Sequence, residues 1–85
     1  MKRKKAAALK YENVFSSPIV TAVGFGEIAD KIIEEAENSN VPVIENPDLT
    51  ENLTMLSIGQ NIPVELYEAV AEIIAFIYSL DNKNK

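Results

Sequence analysis

The sequence predicts a small mixed α/β fold: a three-stranded sheet flanked by about three helices, in the order β-β-α-β-α-α. Three observations predict it. Short apolar stretches with β-branched residues, Ile19 to Val23 and Val41 to Glu45, are too brief for helices and have strand character. Between them, Glu27 to Asn38 carries apolar residues at helical spacing. After the last strand, two further stretches keep the helical period, one entered through Pro47 and the other through Pro63.

The first strand is Ala6 to Tyr11, whose alanines leave its propensity weak. Asn13 to Pro18 reads as a loop, because Ser16-Ser17-Pro18 is turn chemistry. Ile19 to Val23 is the second strand, and Gly24 and Gly26 then mark the change of period. In the helix Glu27 to Asn38, the residues Ile28, Ala29, Ile32, Ile33 and Ala36 share one face. Asn38-Ser39-Asn40 supplies its stop. Pro42 stands at the start of the third strand, where a missing donor is tolerated. Asn46 caps a short helix with Pro47 in its first position and Leu49, Leu53 and Leu56 on its buried side. Gly59 ends that helix. The last helix runs from Pro63 to about Leu80 with two adjacent stripes. Leu66, Val70, Ile73, Ile77 and Leu80 form one; Tyr67, Ala71, Ile74 and Tyr78 form the other. Two stripes exceed what one packing face needs, so part of this helix is expected to remain a binding surface.

With 85 residues the chain is one domain. Residues 1–5 are a basic arm, 6–81 the domain, and 82–85 a polar tail. The chain has no Cys and no His. That excludes a disulfide framework, a thiolate metal site and a Cys nucleophile, and removes the commonest metal ligand and general base. The expectation is a non-enzyme with no cofactor and no metal. The net charge of -5 conceals an asymmetry: Lys2, Arg3, Lys4, Lys5 and Lys10 crowd the start, while Lys31 is the single base between Glu12 and Glu72. A basic arm suits nucleic acid or anionic lipid, but the aromatic interleaving of a single-strand platform is missing. It reads instead as a solvated arm that discourages strand pairing, so no nucleic-acid partner is expected. No apolar segment follows the arm as in a secretory signal. The longest apolar run, Ile73 to Tyr78, is far short of the ~20 residues of a membrane helix. A cytoplasmic protein with no membrane span is expected.

One motif points to a different function. Gly24-Phe25-Gly26-Glu27-Ile28-Ala29 follows a strand and opens a helix, and Glu45 ends the next strand. This has the form of a dinucleotide-binding turn with its ribose-binding acid. Against it, the chain is too short for two mononucleotide-binding halves, and Glu27, Asp30 and Glu34 would repel phosphate. A structural reading is also available, in which Gly24 and Gly26 permit a sharp turn and close packing.

Ile58-Gly59-Gln60-Asn61-Ile62-Pro63, followed by Leu66-Tyr67 and Ala69-Val70-Ala71-Glu72, contains nothing catalytic. It resembles the end of the cytoplasmic domain of the FlhB/YscU family, the substrate-specificity switch of flagellar and type III export machines. Other pieces follow in the family's order. Ala8-Leu9-Lys10-Tyr11 is similar to its Ala-rich strand, and Ser17-Pro18 to the end of its loop. Gly24-x-Gly26 is similar to its Lys-Gly-x-Gly turn with Val23 in place of Lys. Asn38-x-Asn40-Val41-Pro42 and Glu45-x-Pro47-x-Leu49 match the following strand and helix entry. The family's Asn-Pro-Thr-His motif is missing: Met1-Lys2-Arg3-Lys4 occupy its place, and Asn46-Pro47 lies on a different element without Thr-His.

The resemblance implies an interaction module of the flagellar export apparatus that works without the family's autocleavage. Its implied partners are a membrane-anchored FlhB-type component, export substrates and their chaperones, at the cytoplasmic face of the membrane export gate. The docking positions it implies are Ser17, Pro18, Ala71 and Ile74. The family's strand before the cleavage motif has no counterpart here. An open strand edge beside Ala6 to Tyr11 is therefore expected, available to a donated strand or a second copy.

Overall fold

A computed structural model describes residues 4–11 and 17–83, with side chains as far as residue 79. Two strands, β1 (Lys5–Lys10) and β2 (Ile19–Phe25), pair antiparallel. Ala6 lies opposite Gly24, Ala7 opposite Val23 and Ala8 opposite Ala22, and a bulge then brings Leu9 opposite Val20. Three α-helices follow: α1 (Glu27–Asn38), α2 (Pro47–Leu53) and α3 (Tyr67–Lys83). A single 3-10 turn, Val64–Leu66, leads into α3.

The sheet separates two layers. Gly24 belongs to the face covered by α1: a Cβ built on it would lie 2.5 Å from Ile28 Cγ2 and 2.9 Å from Ile32 Cδ1. Its partner Ala6 is buried on the same face, since directly opposed residues share a side. Ala7, Leu9 and Val23 face the other way, onto a core of Val20, Leu49, Leu53, Ile62 and Val70. That core joins β2 to α2, the 57–63 segment and α3. Its centre is Val20, fully buried. The small side chains of β1 thus have a packing role, which is why an Ala-rich segment stays a strand despite its weak propensity.

The turns follow from local chemistry. Asn40 adopts a positive φ of 59° just past α1. Val41 N–H donates to the Ala36 carbonyl at 2.8 Å and Asn40 N–H to the Glu37 carbonyl at 3.3 Å. These crossed bonds satisfy carbonyls that a helix end leaves free, and Asn tolerates the left-handed backbone they need. Asn46 Oδ1 accepts from Leu49 N–H at 3.2 Å, and Pro47 fills the first position of α2. This is the cap the sequence indicates.

The expected third strand is a correction. Residues 41–46 form no ladder, and the sheet is two-stranded. Among the described residues, the N–H groups of Val43, Ile44 and Glu45 donate no hydrogen bond. Apolar β-branched residues favour a strand, but a strand requires a neighbour at ~4.8 Å, and here a groove lies on that side. Three boundaries also differ. The short helix ends at Leu53, with Thr54 as its cap, rather than at Gly59. Pro63 caps the 3-10 turn, and α3 begins four residues later. At its far end α3 continues to Lys83, into the stretch read as polar tail, because backbone hydrogen bonding requires no apolar side chain.

Candidate functional site

The segment Ile58 to Pro63 acts as a strap along the outer edge of β2. Gly59 N–H donates to the Val20 carbonyl at 2.7 Å, Val20 N–H to the Gln60 carbonyl at 3.0 Å, and Ile62 N–H to the Pro18 carbonyl at 3.0 Å. Ile19 and Asn61 form an antiparallel bridge between them. Gly59 has a φ of +91°, a backbone that L side chains rarely adopt. The Gln60 side chain closes the turn by accepting from Ser57 N–H at 2.9 Å. Ile62 is 2% exposed and belongs to the core. Gly59, Gln60, Asn61 and Ile62 of the motif singled out in the sequence therefore each have a structural role.

On the opposite side of the sheet lies an apolar groove of about 1010 Å³. It runs between β1 and the 41–46 segment. Ile32, Ile33 and Ala36 of α1 line one wall; Leu49 of α2 and Ile73 and Ile77 of α3 line the other. Pro18 and Ile74 line the same groove. Pro18 is buried, and Ile74 is half-buried and packs against the core. Ser17 is half-buried beside Pro18, its hydroxyl directed at the Pro18 and Ile62 carbonyls at 3.3 and 3.4 Å. Ala71 is exposed on α3, outside the groove lining. The fold thus brings two of the four expected docking positions into one groove, sets the third beside them and leaves the fourth on the helix surface.

Both lysines that line the groove are in ion pairs. Lys5 Nζ lies 3.1 Å from Glu51 Oε1, joining β1 to α2. Lys4 Nζ lies 2.8 Å from Asp30 Oδ1, joining the start of β1 to α1. The hydrogen bond that Lys4 donates to Asp30, together with the Asp30 charge, holds the Lys4 ammonium above its ordinary value of 10.5. Neither ion pair was predicted from the sequence, because both join segments distant along the chain.

The glycine motif has a packing role. Gly24 is excluded from carrying a Cβ by Ile28 and Ile32, and Gly26 adopts φ +58° at the entry to α1. Glu45 is exposed on the 41–46 segment. No group of three or more metal-binding side chains occurs among the described residues. No described helix is long and apolar enough to cross a membrane. Of the four positions that would hold the family's cleavage motif, Met1 to Arg3 lie outside the described residues, and Lys4 is paired with Asp30.

Comparison with known proteins agrees with this architecture. YlqH of Bacillus subtilis (strain 168) is 47% identical over 85 residues, covering 96% of this chain and 91% of that protein. The flagellar biosynthetic protein FlhB of Aquifex aeolicus (strain VF5) is 45% identical over 85% of this chain, which spans 21% of that protein. The FlhB of Escherichia coli (strain K12) is 44% identical over 88% of this chain, which spans 20% of it. The chain therefore corresponds to about a fifth of these FlhB proteins. The crystal structure of the PscU C-terminal domain superposes with a TM-score of 0.80 at 25% identity, covering 86% of this chain and 95% of that one. With residues 4–77 matching the model of the FlhB HrpN YscU SpaS family, the chain belongs to that family and has the fold of an FlhB-type C-terminal domain.

Proposed function

We propose that this protein is a non-catalytic interaction module of the flagellar, type III export apparatus. It docks export substrates or substrate–chaperone complexes at the cytoplasmic face of the export gate and supports the substrate-specificity switch. The observation that carries this reading is the apolar groove with Pro18 and Ile74 in its lining, on a domain of the FlhB type. Apolar side chains left in an open groove favour binding a complementary apolar segment, because that removes their surface from water. A membrane-anchored FlhB-type component is the natural partner for a chain that spans a fifth of such proteins. Autocleavage is not part of the function, since Met1-Lys2-Arg3-Lys4 stands in place of Asn-Pro-Thr-His.

The test is a pull-down of the 85-residue protein against a membrane-anchored FlhB-type component and against late flagellar substrate–chaperone complexes. Capture of either, lost in Ile74→Asp, supports docking through the groove. Ile74 also packs against the core, so Val41→Asp, at an exposed residue that lines the groove, provides a variant that keeps the fold. A folded protein that captures neither partner overturns the reading.

A further inference from the structure

The 41–46 segment, the far border of the groove, is held at its ends and loose between them. Val41 N–H donates to the Ala36 carbonyl at 2.8 Å, and Asn46 Oδ1 accepts from Leu49 N–H at 3.2 Å. Between these anchors, among the described residues, the N–H groups of Val43, Ile44 and Glu45 donate no hydrogen bond. Val43 is 46% and Ile44 37% exposed. Across the groove, β1 presents groups of its own. Gly26 N–H donates to the Lys4 carbonyl at 2.8 Å, which fixes the phase of the ladder with β2. Alternation along that ladder turns the N–H and carbonyl groups of Lys5, Ala7 and Leu9 to the groove.

The segment runs antiparallel to β1. The bond from Gly26 to Lys4 sets the start of α1 at the start of β1, and the ion pair of Lys5 with Glu51 sets α2 there too. Helix α1 has 12 residues, about 18 Å, and its Ile33 and Ala36 line the groove beside β1. The chain therefore leaves α1 near the far end of β1 and returns through 41–46 to its start. Pro42 decides which side of the segment can pair. It has no N–H, and an extended segment tolerates it where that donor would point away from the neighbour. With Pro42 turned away, alternation turns Val43 and Glu45 toward β1, and both have N–H groups that donate no hydrogen bond. Charge selects the register. Glu45 lies near enough to Lys4 to favour its protonated form, which sets Glu45 at the start of β1, opposite Lys5, and Val43 opposite Ala7.

We infer that the 41–46 segment is a flap that moves between this open arrangement and a closed one paired with β1, so that a partner entering the groove must displace it. In the closed arrangement Val43 exchanges backbone hydrogen bonds with Ala7, and Glu45 with Lys5. Directly opposed side chains share a face. Glu45, in no ion pair among the described residues, comes beside the Lys5 ammonium, and the small Ala7 leaves room for Val43. Ile44 N–H points outward. Closure brings two backbones that each lack a neighbour on this side to the ~4.8 Å spacing of a sheet. As a regulator of docking, the flap rests on the reading of the groove as a docking surface; the closure itself does not.

The chain has no Cys, so Ala7→Cys combined with Val43→Cys reports closure directly. A disulfide needs Cα atoms within about 4.4–6.8 Å, and a hydrogen-bonded antiparallel pair sets them about 5.5 Å apart. Under oxidised glutathione this pair is expected to cross-link within one chain at least about tenfold faster than Thr21→Cys combined with Val43→Cys, because Thr21 lies exposed on β2. Amide exchange on the unsubstituted chain is the second measurement and depends on no variant. Val43 and Glu45 are expected to exchange at least about threefold more slowly than in an unstructured peptide, and Ile44 at the unstructured rate. In a folded variant, a Cys pair no faster than the control overturns the inference, as does equal exchange at 43, 44 and 45. Protection that rises with protein concentration also overturns it, since a second copy would then be the cover. No export component enters either measurement. The flap can therefore fail while the pull-down succeeds, and stand while the pull-down fails.

Discussion

The two outer edges of the sheet are treated in opposite ways. The edge of β2 is closed by the chain itself: Gly59, Gln60 and Ile62 hydrogen-bond along it, and Ile62 enters the core. The other edge of β1 faces the groove between two apolar walls, with no third strand on it among the described residues, and the segment beyond it carries exposed Val41, Val43 and Ile44. Unprotected edges invite association, so proteins ordinarily cover them. The covered edge serves stability, and the edge on the groove is the one that the proposed docking would use.

Breaking the covered edge has the largest expected effect. Ile62→Ala removes a buried side chain from a small core and lowers stability by about 2–5 kcal/mol, measured by urea unfolding. A change well below that range would mean that the strap does not anchor the core. Gly59→Ala attacks the same strap through the backbone. At φ +91° a Cβ is strained although open space surrounds it, and the cost is about 1–3 kcal/mol. Unfolding midpoints of the two variants separate packing from backbone strain. A neutral Gly59→Ala would show that the turn relaxes without its glycine.

The legibility of the sequence divides along the same line. The caps at Asn40 and Asn46, the helical face of α1, the Leu49 and Leu53 contacts and the tight turn at Gly24 to Gly26 were readable, because each depends on neighbours a few residues away. The Val41 to Glu45 segment was misread as a strand. Its composition states that it suits a sheet, and composition cannot supply a pairing partner. The expected docking positions show the same limit. Pro18 and Ile74 meet in one groove only through the tertiary fold, and Ala71, one helical turn from Ile74, lies outside it. Helix α1 also shows how a face can be shared: Ile32, Ile33 and Ala36 of its apolar face line the groove, while Ile28 of the same face is 53% exposed overall. The Ile58 to Pro63 stretch was conspicuous as a motif. Its work as an edge strap is set by hydrogen bonds to residues about forty positions earlier, which the sequence does not display.

A sharper test of the bare edge addresses its far border. Asn46 ends the 41–46 segment and holds it to α2 through the bond from Leu49 N–H. Asn46→Ala leaves that donor without its cap and is expected to cost about 1 kcal/mol. Hydrogen exchange should quicken in the first turn of α2 while the β2 strap is unaffected. Equal quickening on both sides would mean that the two edges are mechanically coupled and that the contrast between them is not a local property.

The smallest effect concerns the corner where β1 meets α1. Lys4 and Asp30 are both exposed, so their ion pair is screened and contributes little to stability at neutral pH. Its trace is in titration. The Asp30 hydrogen bond and charge hold Lys4 above 10.5, so the folded state binds this proton more tightly than the unfolded chain. The stabilisation is fully present below 10.5 and fades as pH rises through the higher folded value. Asp30→Asn should return the Lys4 ammonium, followed by side-chain nitrogen NMR, toward 10.5 and remove that alkaline loss. A Lys4 titration that does not move in the variant would show that Asp30 does not hold it. The ion pair that ties the start of β1 to a helix would then be Lys5 with Glu51 on α2, and the α1 side would be held by the packing of Ala6 and Gly24.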